Sequence, residues 1–349
     1  MTVMQNAPAA RQFSSGSSYR ILAGLVVATA LVFMVNNVAT FWFGCPGVLN
    51  LFGYYGWFGL EADIGSLTGI QTALGWGQLL LYFFGIGLVL NYVHKRSGIE
   101  GLHDDARRYS WLAAYIVRTA FWAVLLIGLA DFVVSFLRVE GYLDEIIGEQ
   151  LATELGRPQF RGHYLHYPLL LLSGLIALLT RSLSFVWLAV LVVFAEFQIV
   201  VSRFVFSYEQ AFMGDLVRFW YAALFLFASS YALVEEGHVR VDVLYAHFSK
   251  RTKAWTNAVG SMLLGMPICF TILLLGMWGK GSSLNSPILS FEISQSGFGM
   301  YVQYLMAGFL IVFALSMIIQ FAGLFLESVA VLLGDSADEE FLESQHEPI

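Results

Sequence analysis

The sequence predicts an all-α integral membrane protein with about eight transmembrane helices, on its composition, the spacing of its apolar runs and the distribution of its basic residues. The 349-residue chain is 58% hydrophobic and only 12% charged, with mean hydropathy +0.70. Soluble domains carry roughly 25% charged residues. A hydrocarbon core about 30 Å thick takes roughly 20 apolar residues in a helix. Apolar segments of about that length fall near 21–43, 68–93, 112–136, 164–180, 184–206, 215–234, 255–279 and 301–333.

The basic residues orient these segments, because cytoplasmic loops are enriched in Lys and Arg. With the N-terminus inside, the inner segments hold Arg11, Arg20, Lys95, Arg96, Arg107, Arg108, Arg181, Arg240, Lys250, Arg251 and Lys253, and the outer ones only Arg138, Arg157, Arg161 and Lys280. This excess predicts both termini on the cytoplasmic side and an even number of spans. The net charge of -7 comes largely from residues 140–154 and from an acidic cytoplasmic tail, 335–349. Nothing in it resembles a nucleic-acid footprint.

Residues 1–20 are polar and end at Arg20, and no small-residue cleavage site follows, so the first apolar run reads as an uncleaved span. In the second, Gly85 and Gly87 lie in YFFGIGLVL, as at a close helix–helix contact. Arg118 and Asp131 stand a few residues inside the two ends of the third, placed to snorkel to water. Across 139–156, Leu143, Ile146, Ile147, Leu151 and Leu155 recur at helical spacing opposite Asp144, Glu145, Glu149 and Glu154. That pattern predicts an amphipathic helix on the outer side, either resting on the interface or offering an acidic docking surface. The fourth segment starts at Pro168 or slightly before it, and only Arg181-Ser182-Leu183-Ser184 separates it from the fifth, which predicts a tight helical hairpin. The eighth is longer than a bilayer requires, so it tilts or extends beyond the membrane.

Signals for chemistry are sparse. His163 and His166 are three apart, so both could face one way and share a metal, but no carboxylate or Cys stands at matching spacing. Cys45 and Cys269 form no framework. No His lies mid-span to hold haem, and no glycine-rich phosphate loop is present. The reading is therefore of no enzyme and no cofactor. Intramembrane charge is the stronger signal. Glu196 lies near the middle of the fifth segment, where a charge is costly. Arg203 is about two turns further along nearly the same face, ~10 Å away by helical rise. Glu196 reads either as a coupling-ion or proton group, or as a hydrogen-bonded group at a helix–helix or subunit contact.

The most distinctive stretch is 215–242, an apolar run that stops hard at Glu235-Glu236-Gly237-His238-Val239-Arg240-Val241-Asp242. With its neighbours it carries a resemblance. Arg203-Phe204-Val205-Phe206 closes one helix and Asp215 opens the next. Tyr231-Ala232-Leu233 precedes His238-Val239-Arg240-Val241-Asp242. Lys250-Arg251-Thr252-Lys253-Ala254-Trp255 opens a third helix, and Glu292-Ile293-Ser294 precedes a fourth. In this order the elements resemble the small membrane subunit of tripartite ATP-independent periplasmic (TRAP) transporters, the DctQ-type small permease. The similarity covers about 184–334. It departs from many relatives at Gly299-Met300-Tyr301, where they have Gly-Leu-Pro, and at Met306, near an expected Lys.

The resemblance divides the chain into an N-terminal membrane extension, 1–181, with about four spans, a four-helix DctQ-like unit, 182–334, and the tail. It implies a subunit in the bacterial inner membrane, surrounded by lipids. There it would scaffold a large DctM-type permease that works with a periplasmic substrate-binding protein in sodium-driven uptake of an organic acid or related solute. Arg203, Asp215, His238, Arg240, Asp242 and Glu292 are then its interface or structural-motif residues. His238, Arg240 and Asp242 alternate with valines and so share one side of an extended turn, either as a polar lock on the permease or as a self-contained tie between helices. Two other readings are a stand-alone transporter or channel, with Glu196, Asp131 and Arg203 lining a pathway, and a membrane anchor for a redox or sensory complex. The first wants internal symmetry; the second wants His ligands in the spans or a sizeable cytoplasmic domain. The sequence offers none of these.

Overall fold

The computed structural model describes residues 7–60, 67–96, 100–180, 186–234, 245–294 and 298–334. Among them the chain forms α-helices and short 3₁₀ and π turns, with no strand. Eight helical stretches among the described residues are long and apolar enough to cross a membrane: Gly16–Phe41, Gly69–Arg96, Leu102–Val139, Pro158–Leu179, Val186–Phe206, Ala211–Ser229, Lys250–Met277 and Gln303–Leu333. The third begins at Leu102 rather than 112, because an amphipathic turn bearing Asp104, Asp105, Arg107 and Arg108 continues the helix beyond its apolar part. The fourth begins at Pro158 rather than 164, since proline suits a first helical turn whose N–H would be unsatisfied anyway.

The chain divides into two compact units, one of residues 1–111, 239–270 and 318–349, the other of 112–238 and 271–317. In the first, α1 (Ala7–Phe41) lies along α3 (Gly69–Arg96). Glycines set how close they come. A Cβ on Gly24 would stand 2.7 Å from Val89, and one on Gly85 3.0 Å from Val32. Gly87, expected to share that contact, faces open space. Gly24→Leu should therefore force the helices apart and cost about 1–3 kcal/mol. Gly87→Leu adds the same volume where there is room and should leave the thermal midpoint of the purified protein unchanged or slightly raised.

Between these helices the chain folds back through α2 (Val48–Tyr54), with Leu51 on Gly75. Gln78 closes the turn. Its Oε1 accepts the Gly47 N–H at 2.8 Å, and its amide donates to Asn36 Oδ1 (3.0 Å) and Thr40 Oγ1 (2.9 Å). A buried polar side chain inside a span is tolerated because its donors and acceptors find partners. The opposite end of α3 is fixed by charge. Arg20 Nε lies 2.6 Å from Asp105 Oδ2, and Tyr92 donates to Asp105 Oδ1 at 2.6 Å. Glu100 is clamped by Arg108 and then Arg96, which hold its carboxyl down to about 2. It therefore stays ionised throughout the physiological range.

The second unit has a hydrophobic core drawn from α4 (Leu102–Val139), α9 (Val186–Phe206), α10 (Ala211–Val234) and the start of α14 (Gln303–Leu333). Phe121, Val124 and Ile127 of α4 are buried with Phe219, Trp220 and Ala223 of α10 and Phe309 of α14. This core draws on helices from both sides of residue 181. Where spacing predicts one amphipathic helix over 139–156, the chain forms two, α5 (Leu143–Ile147) and α6 (Glu149–Leu155). Gly148, at φ 84 and ψ 150, separates them in a conformation open essentially to glycine alone.

Candidate functional site

The second unit gathers a polar cluster at one end of its helices, around Asp131 of α4. This carboxylate is fully buried. Arg161, the last residue of α7 (Pro158–Arg161), donates from Nη1 to Asp131 Oδ1 at 2.9 Å and to Ser135 Oγ at 3.2 Å, and from Nε to the Leu155 carbonyl at 2.9 Å. His166 Nε2 stands 3.2 Å from the same Oδ1. A carboxylate only accepts, so Nε2 carries a proton toward it, and Nδ1 shares a hydrogen bond of 2.8 Å with the Tyr304 hydroxyl. Asp131 Oδ2 takes the backbone N–H of Tyr301 at 2.7 Å. Both buried carboxylate oxygens are thus satisfied, the condition for keeping an ion pair out of water.

The neighbouring donor goes to a second carboxylate. Asp215, in the first turn of α10, accepts the Met300 N–H at 3.0 Å through Oδ2, and its Oδ1 lies 3.3 Å from Arg218 Nη1. Consecutive N–H groups ahead of α14 are therefore held by two aspartates from different helices, and these groups would otherwise lack partners at a helix start. The Tyr301 ring lies 4.0 Å from the Arg161 guanidinium carbon and 4.7 Å from that of Arg138. Its hydroxyl accepts from Arg138 and donates to the Gly156 carbonyl at 3.0 Å. Glu292 accepts the Tyr304 N–H through its carbonyl at 3.0 Å and the Gln303 amide through its carboxylate at 3.2 Å. Asp215, Arg218, Glu292 and Gln303 line an open cleft of about 430 Å³ with Pro287, Met300 and Met306. Two carboxylates and a largely exposed guanidinium over an apolar floor suit a polar or charged side chain of another protein.

The structure redistributes the residues singled out from sequence. Asp131, expected to snorkel to water, is fully enclosed together with Arg161, because Arg161, His166 and the Tyr301 N–H surround it. Asp215 and Glu292 meet at one cleft. Arg203 lies apart, exposed, 3.3 Å from Glu209. Glu196 is exposed at the midpoint of α9. His238, Arg240 and Asp242 lie outside the described residues.

Sequence reasoning missed the pairing of Arg161 with His166. Residues five apart on an α-helix point about 140° away from each other. Here the π turn Gly162–His166 inserts an extra residue and brings both onto Asp131. His163 and His166, grouped by their spacing of three, diverge instead: His163 is exposed and bonded to the Gln159 carbonyl at 2.7 Å. Gly162 also admits the Phe291 ring, which a Cβ would meet at 2.2 Å.

Eight apolar helices, charges enclosed in pairs and an outward apolar surface define a multi-pass helical membrane protein. Residues 189–330 match the model of the family Tripartite ATP-independent periplasmic transporters, DctQ component. Residues 189–330 are thus similar to the DctQ component of TRAP transporters, and the residues before them lie outside the match. No curated protein and no solved structure matches it. Asp215, Glu292, Arg203 and Glu196 fall inside the matched residues; Asp131, Arg161 and His166 fall in the extension.

Proposed function

We propose that this chain is the small membrane subunit of a TRAP transporter in a bacterial inner membrane. It scaffolds a large DctM-type permease for sodium-driven, binding-protein-dependent uptake of an organic acid or related solute. The observation that carries the reading is the DctQ match across 189–330, which takes in the helices α9, α10, α11–α12 (Lys250–Gly260 and Met266–Met277) and α14. The geometry supports a structural role, since the buried charges fasten helix ends to one another. No enzymatic role is assigned. With the basic residues of the loops facing the cytoplasm and both termini inside, the cleft at Asp215 and Glu292 faces the periplasm, the side from which a binding protein delivers its solute. His238, Arg240 and Asp242 then belong to the cytoplasmic side of the contact with the permease.

The test is to purify the tagged chain from its native membrane in mild detergent and identify what accompanies it. A large multi-spanning permease in near-equal amount is the expected result. Recovery of the chain alone, with solute transport in liposomes that hold only this protein, would overturn the subunit reading.

A further inference from the structure

Glu196 is a carboxyl group with no polar partner among the described residues. It stands midway along α9 (Val186–Phe206), about 15 Å of helical rise from either end, and so near the centre of a bilayer. Its side chain is exposed and makes no hydrogen bond or ion pair to the described residues. Beside it on the outward surface are Val193, Phe197 and Val200, all exposed. A flank of α9 about a quarter-turn from it is anchored in the core through Leu188 and Ala195. Of the eight candidate spans this one is the least buried.

Three occupants fit this face poorly. Lipid gives a carboxyl group no hydrogen-bonding partner, and acidic residues within spans almost always face protein or a water-filled cavity. A water path would need continuous polar lining, whereas within a turn of Glu196 this surface is aliphatic or phenyl, and Arg203, two turns on, is paired with Glu209. A second copy of the chain, docked by a two-fold axis through this face, would bring two Glu196 carboxyls together, because such contacts pair a patch with itself. A different helix bearing a donor satisfies all three constraints.

We infer that this face of α9 docks against a transmembrane helix of the large permease, and that the helix presents a hydrogen-bond donor to Glu196 at mid-membrane depth. The donor is a basic, amide or hydroxyl side chain. Apolar packing by Val193, Phe197 and Val200 supplies the contact area, and Glu196 sets register and partner choice, as polar groups do between helices in lipid. The inference rests on the subunit reading above.

The experiment is the mild-detergent pull-down from native membranes, with the ratio of permease to tagged chain measured for wild type, Glu196→Gln and Glu196→Leu. Solute uptake by the same cells and the thermal midpoint of each isolated chain are recorded alongside. Wild type and Glu196→Gln should retain the permease. Glu196→Leu should lower the ratio about three- to tenfold, the range of one interhelical hydrogen bond in lipid. Its isolated thermal midpoint should not move, because Glu196 is exposed and has no hydrogen bond or ion pair among the described residues. Equal ratios for all three would overturn this inference and leave the subunit reading standing. Intact assembly with lost uptake in Glu196→Gln would overturn it in favour of an ion-handling carboxyl. Absence of permease from the wild-type preparation would overturn the subunit reading, and the inference with it.

Discussion

Arg161→Ala should destabilise the purified protein by about 3–5 kcal/mol, the cost of stripping one partner from a buried ion pair. Asp131 is fully buried and receives its other contacts from His166 and the Tyr301 N–H. Without the guanidinium it either carries an uncompensated charge or takes up a proton, and in neither state are its present partners all satisfied. The loss also frees the Leu155 carbonyl and the Ser135 hydroxyl, which Arg161 now holds. Asp131→Ala should cost a similar amount for the complementary reason, leaving a buried cation. The double variant Asp131→Leu/Arg161→Met should recover much of the loss, because apolar side chains of similar volume need no partner. Thermal unfolding of wild type, Asp131→Leu, Arg161→Met and the double variant, read as a double-mutant cycle, measures the coupling. A single-variant cost below about 1 kcal/mol, the worth of an exposed pair, would sink the claim that this pair organises the cluster.

The position of this pair shows where the sequence was readable. Spans are local patterns, so a run of apolar residues declares itself without reference to the rest of the chain. The DctQ stretch is a string of motifs in order, equally local. Asp131 and Arg161 are thirty residues apart, and what aligns Arg161 with His166 is a π turn with no marked signature in Gly162-His163-Tyr164-Leu165-His166. The departure at Gly299-Met300-Tyr301 was visible from the sequence but not its meaning. Where the resembling pattern has proline, Tyr301 has a backbone N–H, and that N–H is what Asp131 holds. The extension and the altered start of α14 therefore belong to one arrangement. Glu196 illustrates the reverse case: its mid-span depth was legible, but the face it occupies follows from which side of α9 the core takes.

Trp220→Ala should cost about 3 kcal/mol. Trp220 is the largest fully buried side chain among the described residues, and Nε1 donates to the Val124 carbonyl at 3.1 Å. Its fit depends on Gly128 of α4, where a Cβ would stand 2.6 Å from that nitrogen. Truncation would leave a cavity between α4 and α10 and remove a hydrogen bond from a backbone carbonyl inside the membrane. In water a buried Trp→Ala change costs about 3–5 kcal/mol. The lower end applies here because lipid is as apolar as the core and removes the transfer gain, while the lost contacts and the cavity remain. Tyr221→Ala is the matched control. Adjacent in sequence and equally aromatic, Tyr221 is 50% exposed, and its loss should stay within about 0.5 kcal/mol. Thermal unfolding in one detergent resolves the two. Equal effects at 220 and 221 would mean that α10 is rotated from the orientation described. A large effect at 220 alone would mean that the extension is packed into the DctQ unit, since the side chain opposite Trp220 comes from α4 and not from the matched residues.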